Sequence, residues 1–333
     1  MDKSLLKTFK ILSIDGGGIK GLYSASILKR FEEKFNCLTS DHFDMICGTS
    51  TGGLIAMAVS LKIPAKDICD FYINNGPKIF PTRNKLMSFF RQTLFKGKFN
   101  DNGLKESLEN IFGDKKIGDS NNLLCIPSYS ITEHKPYVFK YDHTNLERDN
   151  NSTMVEIGLA TSAAPTYFPL ANLPSYNNTQ FIDGGVWANN PALVGILEAL
   201  NYFVGGPPKI YNCINILSLS SLSITSGNRP NLNRHRAFVN WRDELFETSM
   251  NGQSFFTDFF LQKISKFSEI DITYKRIPSS PISKNQEKII KLDRATNDAF
   301  YLMQQLADNQ ALEWGKTDFI IDLFTTPKTY NLR

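Results

Sequence analysis

Two short apolar runs lie within the first sixty residues, each ending in clustered glycines and each followed by a helical pattern. Phe9-Lys10-Ile11-Leu12-Ser13-Ile14 runs into Asp15-Gly16-Gly17-Gly18, and Leu22, Ala25, Ile27, Leu28, Phe31 and Phe35 then recur at helical spacing. Phe43 to Cys47 runs into Gly48-Thr49-Ser50-Thr51-Gly52-Gly53, after which Leu54 to Leu61 reads as a buried helix. A strand, a tight loop and a helix, repeated at once, predict an α/β layered domain.

The rest of the chain suits such a frame. Helices are expected over 66–76 and 103–112, from Asn190-Pro191 through Leu200, from about Ala237 to Ile264 and from about Asp293 to Trp314. Strands are expected at Leu123–Thr132, Tyr137–Tyr141, Thr179–Asp183, Ile210–Leu219 and Asp271–Ile277. Residues 9–220 read as a catalytic core and 221–333 as a mostly helical part packed on it within the same domain.

Composition excludes several classes. With 333 residues, 41% hydrophobic and 21% charged, the chain can bury a sizeable core and is not broadly disordered. A formal net charge of +4 is too dilute to indicate a nucleic-acid polymer as partner. The five cysteines form no C-x-x-C pair and read as buried free thiols in a reducing compartment. No apolar stretch approaches the roughly 20 residues of a membrane span. The start, interrupted by Asp2, Lys3, Lys7 and Lys10, is unlike a secretory leader, so a cytoplasmic protein is expected. The stretch 86–99 interleaves Phe89, Phe90 and Phe99 with Arg91, Lys96 and Lys98, which suits either a membrane-facing flap or a helix packed by its Phe face.

Chemistry concentrates in three loops. Gly48-Thr49-Ser50-Thr51-Gly52 fits G-x-S-x-G between strand and helix, where a sharp turn lifts a serine hydroxyl beside the unpaired N–H groups of the helix start. Asp15-Gly16-Gly17-Gly18-Ile19-Lys20-Gly21 literally satisfies G-x-G-x-x-G, but the acid a dinucleotide site needs is misplaced: Asp41 and Asp44 come before or at the start of the next strand, whose far end leads to Ser50. A nucleotide-binding module is therefore disfavoured. What remains is a loop of bare backbone N–H groups with a cation, Lys20, near a candidate nucleophile, as an oxyanion hole requires. His42, His134, His143 and His235 lie in no setting that suits a triad base. Asp183, at a strand end before Gly184-Gly185, suits the role better, although a turn aspartate before two glycines reads the same way.

In this order the three loops resemble those of the patatin-like phospholipases, whose pattern is D-G-G-G-x-[RK]-G, G-x-S-x-G and D-G-[GA]. Ala160-Thr161-Ser162-Ala163-Ala164-Pro165 and Asn189-Asn190-Pro191 also resemble family blocks, and the likeness extends from about Phe9 to Ala311. Lys20 departs from the Arg usual in plant members, keeping the charge without the planar fork. The resemblance implies a three-layer α/β/α sandwich around a largely parallel sheet. It also implies a Ser50–Asp183 dyad and an oxyanion loop of Gly16, Gly17, Gly18 and Lys20, in which the N–H groups of Gly17 and Gly18 meet the oxyanion. The implied reaction needs no metal or cofactor and releases fatty acids from membrane phospholipids, met peripherally at the inner face of the membrane. A soluble carboxylesterase or thioesterase with the same dyad is the alternative. Within the family, the opening Phe9–Gly18 looks most like bacterial effectors of CBASS antiphage signalling. That likeness implies a cyclic dinucleotide activator, for which Arg229, Arg234, Arg236 and Arg242 are candidate phosphate contacts, and it is compatible with a homo-oligomer.

Overall fold

The computed structural model describes residues 7–81, 98–222, 235, 238–264 and 266–332. In chain order the strands are β1 (Thr8–Ile14), β2 (Met45–Gly48), β3 (Leu123–Ser130), β4 (Lys135–Lys140), β5 (Ala171–Leu173), β6 (Thr179–Asp183), β7 (Cys213–Leu219) and β8 (Asp271–Ile277). The helices are α1 (Gly21–Phe35), α2 (Thr51–Ser60), α3 (Ala65–Ile79), α4 (Asn102–Phe112), α5 (Met154–Ser162), α6 (Gly185–Ala188), α7 (Ala192–Tyr202), α8 (Phe238–Ile264), α9 (Lys284–Glu287), α10 (Asn297–Trp314) and α11 (Asp318–Thr325).

One mixed sheet has the order β5-β6-β3-β2-β1-β7-β8, with β4 paired to β3. Its β3-β2-β1-β7-β8 section is parallel, while β4 and β6 run antiparallel to β3 and β5 antiparallel to β6. The C-terminal third does more than cover the core with helices, because β8 pairs with β7 over seven residues.

Alternation along the central strands divides the core into two layers. Leu12 and Ile14 of β1, Ile46 of β2, and Leu124 and Ile126 of β3 pack into one cluster with α1, α2, α3 and α10. Phe9, Ile11, Met45, Cys47, Leu123 and Cys125 pack into the other with α7 and the end of α8. Helices therefore cover both faces, and the sandwich has three layers. Among the described residues no helix is long and apolar enough to cross a membrane.

The sequence reading missed β5, α5, α11 and the four-residue helices α6 and α9. The three-residue β5 is too short for alternation to register. Helix α5, Met-Val-Glu-Ile-Gly-Leu-Ala-Thr-Ser, is buried almost all round and has no polar stripe to betray its period. Its start is fixed by Thr153, whose hydroxyl accepts the Glu156 N–H at 3.2 Å.

Candidate active site

Sheet register brings the chemistry together. Ile14 pairs with Gly48, so the two glycine loops leave the ends of β1 and β2 side by side. Cys47 pairs with Cys125, and Ser128, three residues further along β3, pairs with Asp183 of the incoming antiparallel β6. Ser50 lies the same three residues beyond Cys47, so the serine and the aspartate arrive level.

Ser50 Oγ donates to Asp183 Oδ2 at 2.7 Å. The serine caps α2 with φ 55° and ψ −125°, a strained conformation for a residue with a side chain. The packing around it holds the strain. A Cβ on Gly52 would stand 2.2 Å from the Ile14 carbonyl oxygen, so the turn can close only on a glycine there. The Ser50 N–H donates to Thr161 Oγ1 at 2.9 Å, and the Thr161 hydroxyl donates onward to the Pro127 carbonyl at 2.7 Å. Helix α5 thus clamps the Ser50 backbone.

Asp183 is 1% exposed. Burial pushes its carboxyl up to about 7, against the Ser50 hydroxyl and the Gly185 N–H, which favour the charged form and hold it down. Gly185 N–H donates to Oδ1 at 2.7 Å, leaving Oδ2 for the serine. A carboxyl poised near neutrality is a far better proton acceptor than an ordinary aspartate.

The glycine-rich loop supplies donors unevenly. The N–H groups of Gly17 and Gly18 meet no hydrogen-bond acceptor among the described residues, in keeping with a place in an oxyanion hole. Gly18 holds φ +59°, and a Cβ there would lie 2.3 Å from the Leu292 carbonyl oxygen. Two expected members do not fit. The Gly16 N–H is spent on the Asn189 carbonyl at 3.1 Å, so Gly16 shapes the loop without donating to substrate. Lys20 is buried away from the pocket lining, where burial lowers its pKa and Glu247 opposes the shift. Asp15 is committed elsewhere, gripped by Arg276 of β8 through two hydrogen bonds of 2.5 and 3.1 Å.

Beside the dyad opens a cleft walled by Leu54, Phe71, Phe80, Leu104, Tyr167, Phe168, Phe246, Met250 and Leu292. Its shape and apolar walls suit a hydrocarbon chain with the reacting carbonyl at Ser50. No histidine lines it. His42 Nδ1 is bonded to the Thr326 carbonyl and His143 Nε2 to Glu198, while His134 and His235 are exposed.

Of the stretch 86–99, residues 86–97 with Phe89 and Phe90 lie outside the described residues. At its described end, Phe99 is buried against Phe80 and Phe168, and Lys98 pairs with Asp293, so this part belongs to the pocket surround. Arg229, Arg234 and Arg236, and the side chain of Arg242, also lie outside the described residues. The five cysteines are all unpaired, and four of them are buried. Sequence reasoning gave no role to Thr161 or Asn189. Both stand in blocks it singled out, but their hydrogen bonds arise only when α5 and the turn after α6 pack against the glycine loops.

The profile of the family described as patatin-like phospholipase matches residues 12–196. The chain is 30% identical to a cGAMP-activated phospholipase of Pseudomonas aeruginosa (strain BWHPSA011 / Pa011), over 92% of this chain and 89% of that protein. It is 29% identical to patatin-like protein 2 of Arabidopsis thaliana, over 90% of this chain and 81% of that protein. Superposed on human GIVD cytosolic phospholipase A2, it has a TM-score of 0.47 at 10% identity, over 98% of this chain and 61% of that one.

Proposed function

This chain belongs to the patatin-like phospholipase family and is a lipid acyl hydrolase, and on that premise we propose that Ser50 and Asp183 act as a catalytic dyad on membrane phospholipids. The observation that carries the reading is the 2.7 Å contact from Ser50 Oγ to a buried carboxylate with no histidine between them. As Ser50 Oγ attacks the acyl carbonyl, its proton passes to Asp183 Oδ2 and the carbonyl oxygen becomes an oxyanion facing the Gly17 and Gly18 N–H groups. Collapse of the tetrahedral species breaks the acyl C–O bond, and Asp183 returns the proton to the departing lysophospholipid oxygen. Water then gives a proton to Asp183 and attacks the acyl-enzyme, and the fatty acid leaves as Ser50 regains its proton.

We further propose that a cyclic dinucleotide switches this activity on. Two relatives named as cGAMP-activated phospholipases support it, as does the hazard an unrestrained phospholipase poses to the membrane of the cell that makes it. The test is lipidomic analysis of phospholipid vesicles incubated with wild-type, Ser50→Ala and Asp183→Asn protein, each with and without a panel of cyclic dinucleotides. Fatty acid release by wild type alone, rising with one nucleotide, is the expected result. Release by either variant at the wild-type rate overturns the dyad, and full release without any nucleotide overturns the switch.

A further inference from the structure

Helix α8 is apolar on two opposite faces. Phe246, Met250, Leu261 and Ile264 are buried, and with buried Ser254 and Thr257 they mark an inner face at spacings of three and four. Half a turn away, Leu245, Phe255, Phe256, Phe259 and Phe260 are exposed, Phe255 at 74% and Phe256 at 65%. One exposed Phe is ordinary; four within six residues form a patch that water disfavours.

The surroundings indicate what covers it. Glu244, Glu247 and Asp258 are half-buried along the helix, and Asp258 is occupied by Tyr274 and Gln262. Of the acids only half-buried Glu244 shares the azimuth of Phe255, and exposed Lys263 and Lys266 stand where the outer face ends, beside exposed Phe267 and Glu269. Polar groups able to match a protein partner are few, with Thr248, Ser249 and Asn251 between Leu245 and the phenylalanines. Apolar side chains bordered by cations suit the headgroup–acyl boundary of an anionic bilayer. The inner face is continuous with the catalytic pocket, since Phe246 and Met250 line it and Ser254 accepts from the Asn189 side chain.

We propose that the outer face of α8 is the surface on which this protein rests on an anionic phospholipid membrane. Phe255, Phe256 and Phe259 enter the boundary region, and Lys263 and Lys266 meet the headgroups. The proposal rests on the reading of the chain as a hydrolase of membrane lipids.

The test is co-sedimentation of full-length protein with phosphatidylethanolamine vesicles containing or lacking phosphatidylglycerol. Phe256→Ser/Phe259→Ser and Lys263→Glu/Lys266→Glu are compared with wild type, all in a Ser50→Ala background so that lipid is not consumed. The phenylalanine pair should weaken partition about tenfold or more, and the lysine pair should remove the preference for phosphatidylglycerol and its salt sensitivity. Made as active protein, the phenylalanine variant should hydrolyse a soluble short-chain ester within about twofold of wild type while losing activity on vesicles. Unchanged partition by the phenylalanine variant overturns the proposal. So does a wild-type dimer that this variant converts to monomer with vesicle binding intact, which assigns the face to a second copy. Vesicle binding that depends on these phenylalanines, with no fatty acid released by active wild type under any of the cyclic dinucleotides, leaves the surface standing and removes the phospholipase reading instead.

Discussion

The loops after β1 and β2 share one grammar, strand to glycines to helix, and do opposite things with it. The second loop closes most of its backbone: the Thr49, Ser50, Gly52 and Gly53 N–H groups find acceptors, the Thr51 N–H meets none among the described residues, and the loop's main offering is a side chain on a strained residue. The first loop offers no side chain. It keeps the Gly17 and Gly18 N–H groups open while Gly16, Ile19 and Lys20 anchor theirs to Asn189, Leu292 and Gly17. On the proposed mechanism, one loop makes the nucleophile and the other receives the charge that the nucleophile creates. Glycine serves backbone approach in the second loop and exposed donors in the first.

Substitutions separate the two roles, beginning with the largest effect. Ser50→Ala removes the candidate nucleophile that the second loop contributes, and kcat should fall by about 10⁴-fold or more. Labelling by a fluorophosphonate should vanish with it; a labelled Ser50→Ala protein would place the nucleophile elsewhere. In the first loop, Gly18→Ala forces a Cβ against the Leu292 carbonyl and should cost about 10²- to 10³-fold in kcat, the range for a lost oxyanion donor. A loss below about twofold would mean that the oxyanion meets other groups. Thr161→Val strands the Ser50 N–H and should lower kcat by about ten- to a hundredfold with KM for a soluble ester little changed. Thr161→Ser, which keeps the hydroxyl, should restore most of the rate, and failure of that rescue would reduce Thr161 to packing.

The pH profile tests the base. With the Asp183 carboxyl near 7, kcat should fall about tenfold per pH unit below that point and level off above it. Stability should move the other way. The folded state holds this proton over the window between the unfolded value of about 3.9 and about 7, so the wild-type fold loses stability as pH rises through it. Asp183→Asn should flatten that decline, as denaturant titrations at both ends of the window would show. The smallest effects belong to His134→Ala and His235→Ala, both exposed, which should leave activity within about twofold.

Ser50 and Asp183 are legible in the sequence because close backbone approach leaves glycine little alternative. The spacing Gly48-x-Ser50-x-Gly52 and the pair after Asp183 record contacts that a Cβ would break, as at Gly52 against Ile14 and Gly184 against the Pro127 carbonyl. The parallel centre of the sheet is legible for a similar reason, its strands being apolar on both faces. Which loop N–H groups stay open is not legible from the residues alone, since it depends on Asn189 and Leu292 arriving from distant segments, although the family resemblance names Gly17 and Gly18. Gly16 and Gly18 look alike as letters and differ only in those partners. The length of α8 follows from its periodicity, but its sequence cannot say that Phe246 turns inward and Phe256 outward.

The grip of Arg276 on Asp15 has a consequence in time. Asp15 lies at the mouth of the first loop and is almost wholly buried, while its counter-charge is encoded 261 residues later. Without that arginine, burying the carboxylate costs about 3–5 kcal/mol, enough to keep the loop from settling. The Leu292 carbonyl that anchors Ile19 is encoded later still. During synthesis, the nucleophile is therefore translated long before the loop beside it can take its working shape. A chain still growing on the ribosome carries Ser50 before the segments that shape the loop beside it have been made.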